Sequence, residues 1–216
     1  MDEGLAKLIA QALCAGAFVT VKATAGALIV ALAIGMVSAS VAALTSNRLV
    51  QVAIRVYVEL LRNVPSLTFL FLLYFGLASL GVRLSSMAAA ILGLGMIGGA
   101  VTVDIFRSGF LSVPVGQKEA AASIRLSPLL SFRLIVLPQG LKLAMPSVGN
   151  YAIGLIKDTS LVAAIAAPEV MFNARQLVNE TFQTALIYGS AAVVYLVLTG
   201  LMAQSVMFIE RRLETR

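Results

Sequence analysis

Residues 117–150 read QKEAAASIRLSPLLSFRLIVLPQGLKLAMPSVGN and form the longest polar interruption in an otherwise apolar chain. Residues 117–126 contain no glycine or proline, which predicts a short helix. Ser127 followed by Pro128 is typical of an N-cap and the first position of a second helix. A polar, capped helix between two apolar runs of membrane length lies outside the bilayer, so this stretch is predicted to contact the membrane surface or another protein.

The composition indicates an integral membrane protein. Hydrophobic residues make up 60% of the 216 and charged residues 12%, against roughly 45–50% and 25% in soluble domains. The chain has no histidine and one cysteine, Cys14, which excludes histidine-dependent catalysis and an internal disulfide. It also has no P-loop sequence. We therefore expect no cofactor on this chain, and any ATP with its Mg²⁺ on a partner subunit.

Uncharged runs divide the chain into about five spans, which predicts an all-α membrane protein with one domain over residues 1–216. The fourth run carries Lys157 and Asp158 within it. The runs cover residues 23–47, 63–82, 84–103, 143–168 and 181–209.

The distribution of Lys and Arg predicts the topology. Five spans place the termini on opposite sides, and with Lys22 and Lys157 taken as intramembrane the two sides differ by eleven cations to three. The positive-inside rule then puts the N-terminus outside, the C-terminus in the cytoplasm and a cytoplasmic loop at about residues 107–142. The cation-rich side has Arg48, Arg55, Arg62, Arg107, Lys118, Arg125, Arg133, Lys142, Arg211, Arg212 and Arg216; the other has Lys7, Arg83 and Arg175.

The polar stretch resembles the EAA loop of ABC importer permeases. Glu119-Ala120-Ala121 is followed at the family's spacing by Ile135-Val136-Leu137-Pro138, but Arg125 stands where the family has glycine. Two further segments resemble the polar-amino-acid branch: Lys157–Val162, and Arg62–Pro65 followed by Tyr74–Leu77. The chain is accordingly identified as similar to a type I ABC importer permease over about residues 18–212.

The resemblance implies a multi-pass subunit of a bacterial inner membrane that moves polar amino acids by alternating access. It implies four kinds of partner: two cytoplasmic ATPase subunits, a second permease copy or a related permease, an extracytoplasmic solute-binding protein and an amino-acid substrate, with no nucleic acid. Residues 168–180 would belong to the outer loops that receive the binding protein. Two alternatives remain: a passive channel or scaffold without ATPase coupling, and an intramembrane enzyme, for which no nucleophile lies beside a base.

The coupling helix implied by the resemblance would dock on the ATPase through a set of small and polar residues. Its alternative is an amphipathic helix lying on lipid headgroups. Because arginine does not readily adopt positive φ, we expect the turn at Arg125 to be reshaped and its side chain to reach an acidic group of the ATPase. The set is Glu119, Ala120, Ala121, Arg125 and Leu126.

The substrate pathway is expected near charged and hydroxyl groups at membrane depth, because such groups usually face a cavity or a partner. The first candidates are consecutive: Lys157, Asp158, Thr159 and Ser160. The alternative is that Lys157 and Asp158 snorkel to the outer interface.

Asp104 at the end of the third span either pairs with Arg107 one turn later or lies at the cytoplasmic end of the pathway. Glu59 and Arg62 are predicted to pair with each other at the interface. Residues 93–98 read GLGMIG, formally a dinucleotide motif, but no strand precedes them. Gly95 and Gly99 instead predict close contact between helices.

Overall fold

A computed structural model describes residues 3–214 and is helical throughout its regular elements. Arg216, which entered the charge count, lies outside the described residues. The helices within residues 3–214 are α1 (Glu3–Leu44), α2 (Arg48–Asn63), α3 (Ser66–Ser79), α4 (Ser86–Leu111), α5 (Val115–Ser123), α6 (Pro128–Ile165), α7 (Val170–Thr181) and α8 (Thr184–Glu214).

Among residues 3–214, the four helices α1, α4, α6 and α8 are long and apolar enough to cross a membrane, and α2 with α3 makes a fifth, broken span. This agrees with the predicted all-α fold of about five spans. The first span differs in length: α1 starts at Glu3 rather than near residue 23 and has 42 residues. At 1.5 Å per residue it is about 63 Å long, about twice the hydrocarbon core.

The second span, predicted over residues 63–82, is broken rather than continuous. The chain bends by 105° between α2 and α3, at Val64 and Pro65. Proline at position 65 has no N–H to continue the helix and disfavours helical geometry in the residue before it. Val64 accordingly adopts extended geometry, with ψ of 129°.

Helices α1 and α4 pack closely through small residues, as the glycine pattern predicted. A side chain on Gly95 would collide with Val30 of α1, and one on Gly99 with Ile34. At Gly35 the α4 residue Thr102 comes so near that its hydroxyl donates a hydrogen bond to the carbonyl of Ala31 across the interface, at 2.7 Å. Small residues let helix backbones approach each other in the absence of a hydrophobic driving force.

The C-terminal ends of α1 and α4 and the start of α6 lie on one side of the bundle. Ala39, Phe106, Phe110 and Phe132 belong to one buried cluster there, with the rings of Phe110 and Phe132 edge to face. Of the predicted loop at 107–142, residues 112–127 lie between the long helices, and the remainder extends α4 and α6. The short helix α5 is held at this end of the bundle.

Candidate functional site

The predicted short helix is α5, which starts at Val115 rather than Gln117 because Pro114 takes the N-cap position. Ser127 caps the next helix as predicted, accepting a hydrogen bond from the N–H of Leu130, and Pro128 occupies the first helical position. Of the predicted coupling residues, Ala121 is buried against the bundle, whereas Glu119 and Ala120 are exposed. The helix therefore presents a small, open face to its surroundings.

The turn after α5 corrects the expectation for Arg125. Arg125 has φ of 58°, in the left-handed region, and its N–H donates to Ala122. The N–H of Leu126 donates to Ala121 at 3.1 Å. These two bonds form the Schellman motif in which glycine is usual at the left-handed position. The turn is thus kept rather than reshaped, at a backbone cost of about 1 kcal/mol.

Exposed apolar side chains surround α5 on this end of the molecule. Leu111, Val115, Ile124 and Leu129 are each more than 60% exposed. Apolar side chains are as exposed on the long helices, where Ile29 is 68% and Leu196 72% exposed, and such surfaces mark contact with lipid or with a protein. The surface made by these four residues and α5 is referred to below as the coupling surface.

Among the predicted pathway residues, Asp158 alone lines a cavity, which has a volume of about 260 Å³. The cavity lies where α2 breaks into α3, and α4 and α6 form its other walls. Its polar groups are Arg62, Ser66, Tyr151 and Asp158. Pockets for drug-sized ligands have roughly 300–1,000 Å³, so this one suits a small solute.

Lys157, Thr159 and Ser160 lie outside the cavity lining. Lys157 is exposed, and Thr159 is buried with its hydroxyl donating to the carbonyl of Ile156 at 2.6 Å. Thr159 therefore stabilises the change from α-helical to 3-10 geometry at the end of α6 rather than facing the cavity.

Asp104 pairs with Arg62 of α2, not with Arg107 as predicted from the spacing. The predicted Glu59–Arg62 pair is also wrong, since the Glu59 carboxylate accepts from the side-chain amide of Asn63 at 3.1 Å. The Arg62–Asp104 pair joins α2 to α4, and the spacing of residues within one helical turn cannot indicate such a contact. Its side chains are 53% and 42% exposed; such pairs contribute about 0–1 kcal/mol, so another carboxylate can compete for Arg62.

Sequence reasoning missed a buried carboxylate, Glu169, in the connection between α6 and α8. It is fully buried and caps α7 by accepting from the N–H of Phe172 at 2.8 Å. Its other oxygen accepts from the hydroxyls of Tyr195 and Thr20. Residues 168–180, assigned to an outer loop, are thus mainly the helix α7, held to α1 and α8 through Glu169. An acidic residue directly before a helical stretch was the available signal.

Burial raises the pKa of the Glu169 carboxyl above its ordinary value. The hydrogen bonds from Tyr195, from the backbone of Met171 and Phe172, and from Thr20 oppose this shift. Desolvation disfavours the charged form more than these donors favour it. Glu169 therefore holds its proton to a higher pH than an exposed glutamate does.

Comparisons with known proteins show which family the chain belongs to. The family described as "Binding-protein-dependent transport system inner membrane component" matches residues 22–216. The chain is 33% identical over 173 residues to the probable amino-acid ABC transporter permease protein YckA of Bacillus subtilis (strain 168), covering 80% of this chain and 76% of that protein. It is 32% identical over 212 residues to the histidine/lysine/arginine/ornithine transport system permease protein HisQ of Escherichia coli (strain K12), covering 91% of each.

A solved structure, described as a crystal structure of an amino acid ABC transporter with histidines, superposes with a TM-score of 0.87 at 26% identity and covers 94% of each chain. The helical fold, the number of spans and the match over nearly the whole length all indicate a permease of the ABC transporter type. The chain belongs to the binding-protein-dependent transport system inner membrane component family, the multi-pass permease subunits of ABC importers.

Proposed function

We propose that this chain moves amino acids or similar small zwitterionic solutes across the inner membrane as one permease of a dimer, homo- or heteromeric. Two ATPase subunits would bind ATP and Mg²⁺ on the cytoplasmic side, and a solute-binding protein would deliver the substrate from outside. The C-terminus and α5 would then face the cytoplasm, as the excess of Lys and Arg on that side favours. The relatives' names support the substrate class.

The observation that carries this proposal is the coupling surface. Ala120 and Ala122 of α5 are exposed, and alanine has the smallest side chain after glycine. Small exposed residues permit close approach of a partner, and the adjoining apolar side chains supply area to bury. ATP-driven movement of a docked ATPase would then shift the bundle between two conformations. Arg125, held at the helix end, would reach an acidic group of the ATPase.

The substrate would bind in the cavity at the break between α2 and α3. Broken helices near the membrane midplane form the binding sites of many transporters. Asp158 would receive an ammonium group, and Arg62 would exchange Asp104 for the substrate's carboxylate. The opposite charges of Asp158 and Arg62 on one small cavity match those of a zwitterion. When the cavity is empty, the Asp104 carboxylate balances the positive charge of Arg62.

Ala122→Trp tests the coupling. The position is exposed, so the chain folds, but the bulky ring blocks docking; we expect at least a tenfold loss of co-purifying ATPase and of ATP-driven uptake. The partner to use is an importer ATPase subunit that co-purifies with the unsubstituted chain. Ala192→Trp, exposed on α8, is the matched control and keeps both.

Retention of ATPase binding and of uptake by Ala122→Trp would contradict the proposal. It would favour a helix that lies on lipid headgroups, because tryptophan is enriched at the membrane interface. Arg125→Gly and Arg125→Ala in the same assay separate the charge from the turn. Loss of ATPase binding in both variants supports the acidic contact, and unchanged binding in both excludes it.

Asp158→Asn tests the cavity. Removing the charge is expected to lower uptake of a zwitterionic amino acid such as glutamine at least tenfold while the ATPase still co-purifies, since a hydrogen bond to a charged group contributes about 1.5–3 kcal/mol. Lys157→Gln is the neighbouring control, because Lys157 lies outside the cavity lining and its loss should leave more than half of the uptake. Normal uptake by Asp158→Asn would remove Asp158 from the site.

A further inference from the structure

Helix α2 carries a polar stripe that no packing within the described chain accounts for. Its members recur at intervals of three or four residues and fall within an arc of about 80° at 100° per residue. All are exposed. They are Arg48, Gln51, Arg55, Glu59 and Arg62.

The other faces of α2 are apolar. On the inner side Val58 is buried, and Tyr57 donates its hydroxyl hydrogen to the carbonyl of Met96 in α4 at 2.6 Å. On the outer side Val52, Val56 and Leu60 are 45%, 49% and 57% exposed. The polar stripe therefore runs between the packed face and an exposed apolar ridge.

The stripe joins two places already described. Its last residue, Arg62, lines the cavity. Its first residue, Arg48, follows α1, whose Ala39 packs with Phe106 and Phe110 near the coupling surface. The stripe thus extends from the cavity toward the end of the bundle that carries α5.

The stripe is positively charged overall. Arg62 is paired with Asp104, but among residues 3–214 neither Arg48 nor Arg55 has a carboxylate within ion-pair distance. Counting Asp104 with the stripe gives three arginines against two carboxylates. An arginine without such a partner keeps its charge only where water or another polar group surrounds it.

We propose that the polar stripe of α2 lines a water-filled exit path from the cavity, and that Arg55 makes this path favour anionic and zwitterionic solutes over cations. The inference rests on the proposed transport function and deepens it, since it names the charge class of the solute. Its physical basis is the potential of fixed charges beside a narrow path with low-dielectric walls, which concentrates ions of opposite sign.

The test measures that potential without substrate or ATPase. Cys14, the single cysteine, is replaced by alanine, and Val52→Cys supplies a probe four residues after Arg48 and three before Arg55. In inside-out membrane vesicles the full chain is treated with two methanethiosulfonates, one carrying a sulfonate and one a trimethylammonium group. Rates are divided by those with 2-mercaptoethanol. We expect the sulfonate reagent to react roughly tenfold faster, as two nearby guanidinium groups would produce.

Two variants and a control position make the result specific. Arg55→Gln should reduce the preference for the sulfonate reagent to about threefold, and Arg55→Lys should retain it. With Arg55 in place, the preference should be larger at low salt than at high salt, because salt screens the potential of the arginines. Leu60→Cys, on the far side of the ridge, should show no preference. An unreactive Val52→Cys, equal rates with both reagents, or a preference unchanged by Arg55→Gln would overturn the proposal. Loss of coupling in Ala122→Trp leaves these rates untouched, so the two proposals fail separately.

Discussion

Replacing Gly35 with alanine is expected to cost about 3 kcal/mol or more of stability, the sum of overpacking and a lost buried hydrogen bond. A β-carbon at Gly35 would lie 2.1 Å from the Thr102 Oγ1 and 2.8 Å from the Thr102 carbonyl carbon. Because backbone is among the clashing atoms, the helices must separate. Separation breaks the bond from Thr102 to Ala31. The thermal midpoint in detergent should fall by roughly 6–12 °C.

Gly189→Ala is the matched control. Gly189 lies in α8 with nothing within 4 Å of an added β-carbon, so alanine should stabilise the helix by up to about 1 kcal/mol. Both variants add one methyl group to a helical glycine and differ only in what that methyl meets. A midpoint for Gly35→Ala within 2 °C of the control, about the shift for one kcal/mol or less, would show that the α1–α4 contact is looser than described.

The sequence predicted those features that depend on neighbouring residues. Ser127 and Pro128 specify a helix start locally, and the Gly95–Gly99 spacing marks a close helix contact whatever the partner. The broken span was only partly predictable: Pro65 indicates a helix boundary, but the 105° angle follows from how α2 and α3 each pack on α4. The cavity arises from that angle, so its lining could not be read in advance.

The failures concern partners that are distant in sequence or a backbone set by its surroundings. Asp104 has Arg107 one turn away, yet the bend brings Arg62 to it. Arg125 keeps the left-handed turn because two backbone hydrogen bonds close it, whatever the side chain. Glu169 looked like a loop residue because burial of a carboxylate depends on Thr20 and Tyr195, which lie on separate helices.

The second large effect is expected at Glu169, the carboxylate that ties α7 to α1 and α8. Glu169→Ala removes the cap of α7 and leaves the Tyr195 hydroxyl without its acceptor. Loss of an N-cap costs about 1 kcal/mol, and a buried unsatisfied group about 1–3 kcal/mol. We therefore expect a loss of about 2–4 kcal/mol, measured as a lowered thermal midpoint in detergent.

Glu169→Gln separates the shape of this side chain from its charge. Its amide oxygen can still accept from Phe172, and its NH₂ can donate to the Tyr195 oxygen. Because burial raises the folded-state pKa of Glu169, the wild-type carboxyl contributes stability that is full below its ordinary pKa and is lost as pH rises through the folded value. The glutamine variant does not titrate. The stability difference between wild type and Glu169→Gln should thus shift in favour of glutamine as pH rises above the ordinary glutamate range. A difference that is constant with pH, or that shifts toward wild type, would mean that the carboxylate is stabilised in its charged form by Thr20, Tyr195 and the amides of α7.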